Sequence, residues 1–339
     1  MTRPLTVAIL AGGLTHERDV SLHSGRRMAG VLREAGIQVK LLDVVATLLQ
    51  LLKAMAPDVV WPLVHGSTGE DGSLQDLLEL IGIPYVGTRP VSCRMASDKA
   101  IASALVKRAG ISVPQSMTIP QALFREVGVS PVLELIGSRF DFPLVVKPAQ
   151  GGSALGVTIV EEASQLPGAM VDCYAYGEQA RIEEFVAGRE LAVSVVDVNG
   201  GPHALPPVEI STDGPYDFDA RYNPGRAEYF VPARLPADAL EAVKEVAEKV
   251  HTSLGLRHLS RTDVIVQDDG TIQFLDVNVA PGTTETSLFP QAATAEAKAR
   301  GTHADEIYVQ ILNAAVRTGS GDQESALAAE AEHGTATED

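Results

Sequence analysis

The feature that most constrains this chain is a pair of apolar, β-branched runs, TDVIVQ and TIQFLDVN, split by Asp268-Asp269-Gly270. An Asp-Gly pair between such runs is a strong hairpin signal. With Asp269-Gly270 as a two-residue loop, counting outward brings Asp263 opposite Asp276, their Cβ atoms roughly 4.5–5.5 Å apart. Asn278, two residues beyond Asp276, points to the same face. Two carboxylates and an amide oxygen form the hard-oxygen ligand type that suits Mg²⁺, which takes its remaining ligands from water and substrate phosphates. A polar strand end facing water has the same pattern. Arg261 beside the pair, and the Pro281-Gly282 turn followed by a Thr/Ser-rich segment able to offer N–H groups to an anion, favour a phosphate-handling site.

Composition sets the class. The 339 residues are 45% hydrophobic and 21% charged, which describes a soluble globular protein of two or three domains. A net charge of −17 argues against a nucleic-acid partner, whose phosphates demand basic surface. Asp322, Glu324, Glu330, Glu332, Glu338 and Asp339 lie in the tail after residue 318 with no Lys or Arg, and that Ala/Glu/Gly/Ser/Thr segment is expected to be disordered. Cys93 and Cys173 have no metal spacing and fit a reducing cytoplasm. Leu5–Leu10 is too short for a signal peptide, and no apolar run approaches membrane-spanning length.

In chain order, Leu5–Leu10 (LTVAIL) predicts a buried parallel strand, followed by a helix from after Ser21 to Ala35 that Gly36 stops. A strand at Val39–Leu42, a helix at Thr47–Ala56 and a strand at Val59–Val64 complete a β-α-β-α-β order. That order makes a doubly wound domain with ligands at the carboxyl ends of its strands. Glu17 follows the first strand and His65 opens the Gly-rich His65–Gly72 after the third; a lone His there is also ordinary in a polar loop. Helices are expected at Ser73–Ile81 and Asp98–Ala109. A strand at Phe142–Pro148 carries Lys147 near its end. The glycine loop Gly151–Gly156 joins it to a strand at Val157–Val160. Such a loop can nest phosphates, although it matches neither the P-loop nor the dinucleotide fingerprint, and many Gly-rich hairpins are only turns. Strands are expected at Arg181–Val186 and Glu190–Val198. Tyr216–Glu228 should be a lid-like loop, Pro236–Leu254 an amphipathic helix, and residues from Ala304 to Arg317 a terminal helix.

Taken jointly and in order, HERDVSLHSG, VHGSTGEDGSLQ, Ser97-Asp98-Lys99, VVKPAQGGSALGV, IEEFVAGRELAV, YDFDARY, SRTDVIV and DVNVAPGTTETSLFP resemble one family, the D-alanine–D-alanine ligases of the ATP-grasp superfamily. The likeness runs from Leu5 to about Arg317. It implies an α/β protein whose N-terminal doubly wound domain is followed by a two-part ATP-grasp fold. The divisions would be 1–97 for substrate, 98–190 and 191–318 for the two ATP-grasp parts, and 319–339 for the acidic tail.

The implied reaction joins two D-alanines through an acyl phosphate made with ATP, for peptidoglycan synthesis. By similarity Asp263, Asp276 and Asn278 hold two Mg²⁺, with Mn²⁺ as a substitute. Lys99, Lys147, Gly151, Gly152, Ser153 and Arg221 meet the phosphates, while Glu183, Glu184, Val186 and Glu190 meet the adenine and ribose. Arg261 and the Gly282 N–H would form an oxyanion hole. Ser287 and the Leu288 backbone would hold the second substrate's carboxylate. Glu17 would take the first substrate's ammonium with His65 nearby, and Tyr222 and Ser153 would tie the lid to Glu17. ATP and D-alanine are the implied partners, with no membrane insertion and a homodimer as a candidate assembly.

Several residues depart from the family pattern. Asp276 stands for the usual Glu, Ala154 for Ser, Arg221 for Lys and Glu184 for Lys, and Thr283, Glu285 and Thr286 alter the turn beside the second-substrate site. These bear on substrate identity more than on reaction type. The alternatives are a ligase joining other amino acids in a specialised pathway and, in another class, a non-catalytic nucleotide-binding regulator, which would bind ATP and release no ADP.

Overall fold

The computed structural model describes residues 3–152, 154–198, 200–212 and 225–319. Ser153, Arg221, Tyr222 and the tail beyond residue 319 lie outside the described residues.

Residues Val7 to Ala11 are all apolar and buried because the strand they belong to, β1 (Thr6–Ala11), is covered on both faces. Val7 and Ile9 pack with Met28 and Leu32 of α1 (Arg18–Glu34), and Ala8 and Leu10 face the other way. β2 (Gln38–Asp43) and β3 (Val59–Pro62) flank β1 in parallel, in the order β2-β1-β3. Leu48 and Leu52 of α2 (Leu48–Met55) cover the second face. The short α3 (Ser67–Glu70) puts one helical turn inside the Gly-rich segment, and Leu74 and Leu78 of α4 (Ser73–Leu80) join the second face. This is the expected doubly wound unit, with one correction: α1 begins at Arg18, three residues before Ser21. Ser21 is inside the helix, where its Oγ accepts from Gly12 N (2.8 Å) and donates to Leu63 O (2.5 Å), pinning α1 to the strand ends.

After α5 (Pro90–Ser97), Asp98 caps α6 (Lys99–Arg108) by accepting from the N–H groups of Ala100 and Ile101. β4 (Ser116–Pro120), α7 (Gln121–Val127) and α8 (Val129–Arg139) follow. β5 (Leu144–Pro148), β6 (Thr158–Val160), α9 (Leu166–Tyr174) and β7 (Gln179–Glu184) complete a four-stranded sheet in the order β4-β7-β5-β6. Leu144, Val146, Ala180 and Ile182 on one face pack against α8 and α9. Strand alternation sends Lys147, Arg181 and Glu183 to the opposite face.

The third sheet is antiparallel, in the order β11-β10-β8-β12-β13 with β9 on β8. Its strands are β8 (Arg189–Asp197), β9 (Pro202–Ala204), β10 (Val208–Thr212), β11 (Ala227–Phe230), β12 (Leu259–Val266) and β13 (Ile272–Asn278). Ala227 and Glu228, expected within a loop, are therefore strand residues. α10 (Ala237–Ser253) covers one face through Val243 and Ala247. α11 (Leu288–Arg300) and a terminal helix over 306–319 are clamped between this sheet and β1, with Phe289, Tyr308 and Ile311 in a core shared by both. Among the described residues no helix is long and apolar enough to cross a membrane.

The central hairpin corrects the loop count. Gln267 N bonds to Thr271 O (2.9 Å), so Asp268-Asp269-Gly270 is a three-residue loop, and Val266 faces Ile272 rather than Gln273. A bulge at Leu275 then adds the residue back, and Asp263 does face Asp276. The opposition survives because two one-residue departures cancel.

Candidate active site

β12 and β13 present Arg261, Asp263, Asp276 and Asn278 on one face, with Arg261 paired to Asn278 and Asp263 to Asp276. Each carboxylate already holds a cation. Arg261 forks onto Asp263 (Nε to Oδ1 2.7 Å, Nη2 to Oδ2 2.8 Å), the bidentate geometry that makes such pairs strong. Lys99, at the capped start of α6, reaches Asp276 Oδ2 at 2.9 Å and donates to Gly151 O at 2.6 Å. Burial alone would raise the Asp276 carboxyl, but Lys99 and Lys147 outweigh it and hold the group below the usual carboxylate range. Asn278 Oδ1 accepts from Ala280 N (2.8 Å), shaping the turn that follows. Among the described residues no three His, Cys, Asp or Glu side chains cluster as a metal site, so the protein offers two carboxylates and an amide.

On the polar face of the four-stranded sheet, Glu183 is 3% exposed and takes a cation on each oxygen: Lys147 on Oε1 (2.5 Å) and Arg181 on Oε2 (2.9 Å). Glu184 ends β7, Val186 follows it half-buried, and Glu190 lies near the start of β8. These four residues and Lys147 line neither of two adjoining cavities that hold most of the other candidates. The first cavity includes Lys99, Gly151 and Asp276, and the second includes Glu17, His65, Gly282, Ser287 and Leu288. Glu70, Gly152, Arg261 and Asn278 line both.

The second cavity is framed by a hydrogen-bond chain through His65. Nδ1 lies 3.1 Å from Ala280 O, a carbonyl that can only accept, so Nδ1 carries the proton. Nε2 then accepts from Ser24 Oγ (3.0 Å), and Ser24 Oγ in turn accepts from Thr283 N (3.3 Å). Burial, aided by Arg261, drives the imidazole down to about 4 despite the Ala280 carbonyl, so it is neutral. Arg27 adds a bond to Thr283 O (3.1 Å). Ser287 Oγ accepts from Thr284 N (3.1 Å) immediately before α11, whose first residue is Leu288. A Cβ on Gly282 would sit 2.8 Å from that hydroxyl, so glycine permits the close turn.

Glu70 was not singled out by the sequence. Its Oε1 accepts from Gly66 N (3.0 Å), and burial first, then Glu17, pushes its carboxyl up to about 8. The available signal was a Glu inside a segment where glycines mark close approach. A Cβ on Gly66 would fall 2.4 Å from Glu17 Oε2, and one on Gly69 would fall 1.9 Å from Val64 O. Thr283 is fully buried, and its hydroxyl has no hydrogen-bond partner among the described residues.

Two family models match the chain, one described as "D-ala D-ala ligase C-terminus" over residues 105–313 and one as "D-ala D-ala ligase N-terminus" over 45–88. A D-alanine–D-alanine ligase of Anaeromyxobacter sp. (strain K) is 39% identical over 288 residues, covering 85% of this chain and 90% of that protein. Among solved structures, the Bacillus anthracis D-alanine–D-alanine ligase complexed with ATP superposes with a TM-score of 0.75 at 26% identity, over 94% of this chain and 99% of that one. The VanG D-Ala:D-Ser ligase from Enterococcus faecalis does so with a TM-score of 0.76 at 25% identity, over 92% and 100%.

Proposed function

This chain belongs to the D-alanine–D-alanine ligase family, and from that premise we propose how its two cavities divide the work of the reaction. The enzyme joins two D-alanines to D-alanyl-D-alanine, the dipeptide of peptidoglycan synthesis, with ATP converted to ADP. A carboxylate is a poor electrophile, so the γ-phosphoryl group first passes to the carboxylate of one D-alanine. The amine of the second then attacks the acyl phosphate, and phosphate leaves. The observation that carries the assignment is the shared wall: Glu70, Gly152, Arg261 and Asn278 line both cavities, so a phosphoryl group bound in the first would lie beside an amino acid bound in the second.

In this reading Lys99 and the backbone of Gly151 and Gly152 bind the triphosphate in the first cavity, and Lys147, outside its lining but near Asp276, swings to the phosphates from its pair with Glu183. Glu183, Glu184, Val186 and Glu190 attend the base and sugar beyond it. Arg261 lines both cavities, which suits a group beside the tetrahedral carbon formed between them. Its guanidinium and the Gly282 N–H are aimed at charge that appears only in the intermediate, the arrangement in which preorganised donors contribute most. In the second cavity Ser287 and the Leu288 N–H receive the acceptor's carboxylate at the start of α11, where the helix dipole favours an anion. Glu17 takes the donor's ammonium, and neutral His65 holds the turn Ala280–Thr283 in place. Ser153, Tyr222 and Arg221 would close the site, by similarity alone.

The donor set fits Mg²⁺. Asp263, Asp276 and Asn278 supply hard oxygens on one face, few enough to leave places for phosphate oxygens, and no soft ligand stands among them. Two such ions, or Mn²⁺ in their place, would neutralise charge on the transferring phosphoryl group when bound. The divisions 1–97, 98–190 and 191–318 follow the three sheets closely, one to each, with the last boundary inside β8. Buried, unpaired Cys93 and Cys173 suit the reducing cytoplasm in which ATP is made.

A rival within the same chemistry is a different acceptor amino acid. Thr284 and Thr286 line the second cavity, so a polar acceptor side chain would meet hydroxyls there. One experiment tests both readings: ADP release screened across D- and L-amino acids with the product's mass measured. D-alanine giving the alanyl-alanine mass supports the proposal. No ADP with D-alanine, or a preferred second amino acid, overturns it.

A further inference from the structure

Lys147 and Arg181 face each other across β5 and β7, and Glu183 lies two residues further along the same face. All three are at least nine-tenths buried, and they share one negative charge between two positive ones. The cations are not equivalent. Arg181 is fixed at two points: Nε donates to Glu183 Oε2 (2.9 Å), and Nη2 donates to Ser103 Oγ (2.9 Å) on α6, the helix that carries Lys99. Its guanidinium is planar, always charged and held on a central strand. Lys147 makes its ion pair through a flexible stem and stands close enough to Asp276 to bias that carboxyl. Of the two, Lys147 is the less anchored, with one ion pair against two bonds for Arg181.

We propose that Arg181 is a positioning residue for nucleotide binding: it keeps the Glu183 carboxylate paired, so that Lys147 can leave it for the triphosphate. A buried ion pair broken on one side leaves an uncompensated charge, which is strongly unfavourable. With two cations on Glu183, departure of one leaves a complete pair, and Lys147 becomes available at little cost. Without Arg181, Lys147 would be held by Glu183 and ATP would have to compete for it. The inference rests on the reading that Lys147 meets the phosphates.

The test is calorimetric binding of a non-hydrolysable ATP analogue with Mg²⁺, alongside KM for ATP and for D-alanine. Arg181→Met should weaken analogue binding on the order of 10²-fold, the scale expected when a buried charge loses its partner. KM for ATP should rise while KM for D-alanine stays within about twofold, well inside the tenfold that 1.4 kcal/mol represents. Arg181→Lys, which keeps the charge, should recover most of the loss. In a Glu183→Gln background, where no carboxylate remains to hold Lys147, Arg181→Met should add almost nothing.

A folded Arg181→Met protein with unchanged analogue affinity overturns the proposal. So does an Arg181→Lys protein as weak as Arg181→Met, or a full loss from Arg181→Met in the Glu183→Gln background. If Arg181→Met alone does not fold, Arg181→Lys and the double variant, whose buried acid is neutral, still decide. Lys147→Met separates the premise from the inference: unchanged analogue affinity in that variant removes the phosphate role of Lys147 itself.

Discussion

Buried His65 should make this fold sensitive to acid, by an amount its surroundings set. Its imidazole is 4% exposed and is driven down to about 4, chiefly by burial. In the unfolded chain the same group has its ordinary value near 6.5. As pH falls the unfolded chain takes up the proton first, so His65's contribution to stability is whole above about 6.5 and is lost as pH falls toward 4. At about 1.36 kcal/mol per unit, the full loss is about 3.4 kcal/mol, of which about 2 kcal/mol is already gone at pH 5. The assay is urea unfolding of the wild type and His65→Asn at pH 7.5 and pH 5. Asparagine can still donate to Ala280 O and does not titrate, so subtracting the two proteins cancels His251, His258 and Glu70, which also shift. The wild type should lose about 2 kcal/mol more than the variant between the two pH values. Parallel losses would mean that His65 is charged or solvated in the folded protein, and the neutral hydrogen-bond chain to Ser24 would be wrong.

Asp263→Asn and Asp276→Asn should each cut turnover by more than the roughly 10–100-fold that outer-shell changes at metal sites bring, read as kcat across a Mg²⁺ titration; Asp276→Glu should remain active. Arg261→Ala should lower kcat by roughly 10²–10³ with much less change in KM, and an effect confined to KM would remove it from the oxyanion hole. Gly69→Ala places a Cβ 1.9 Å from Val64 O, so α3 must move off the strand end. That should cost at least the roughly 1–3 kcal/mol of an overpacked core, seen as a lower Tm, and should raise KM for D-alanine through Gly66 and Glu70.

What the sequence made legible follows from local rules. LTVAIL announced a strand covered on both faces, Asp98 announced the start of α6, and the Asp-Gly pair announced a hairpin. The hairpin opposes Asp263 to Asp276 although its loop has three residues rather than two, because the bulge at Leu275 restores the register. Helices α5, α7, α8, α9 and α11 were not visible. α5 opens on Pro90, Gly128 divides α7 from α8, and α7 has no fully buried residue to create a periodic apolar stripe. The opposed acid pair with Arg261 beside it is legible from the hairpin, whereas Lys99, which the structure brings to Asp276, is suggested by family likeness alone. The buried settings of Glu70 and Arg181 are not legible, because each depends on partners from distant segments: Glu17 and Asp276 for the first, Lys147 and Ser103 for the second. A buried arginine within a β-strand run looks like a surface residue until the helix across from it is known.

The bonds that shape the amino-acid cavity also have a consequence in time. His65 reaches Ala280 across 215 positions, and Ser24 reaches Thr283 across 259. Loop closure over such separations is slow, and during synthesis it must wait for almost the entire chain to appear. The phosphate-side residues from Lys99 to Asn278 are all present before Thr283 emerges. A polypeptide cut off just short of that residue would hold every side chain proposed to bind the nucleotide and lack the turn proposed to receive the acceptor. Order of emergence thus places completion of the second cavity after the residues proposed to bind ATP.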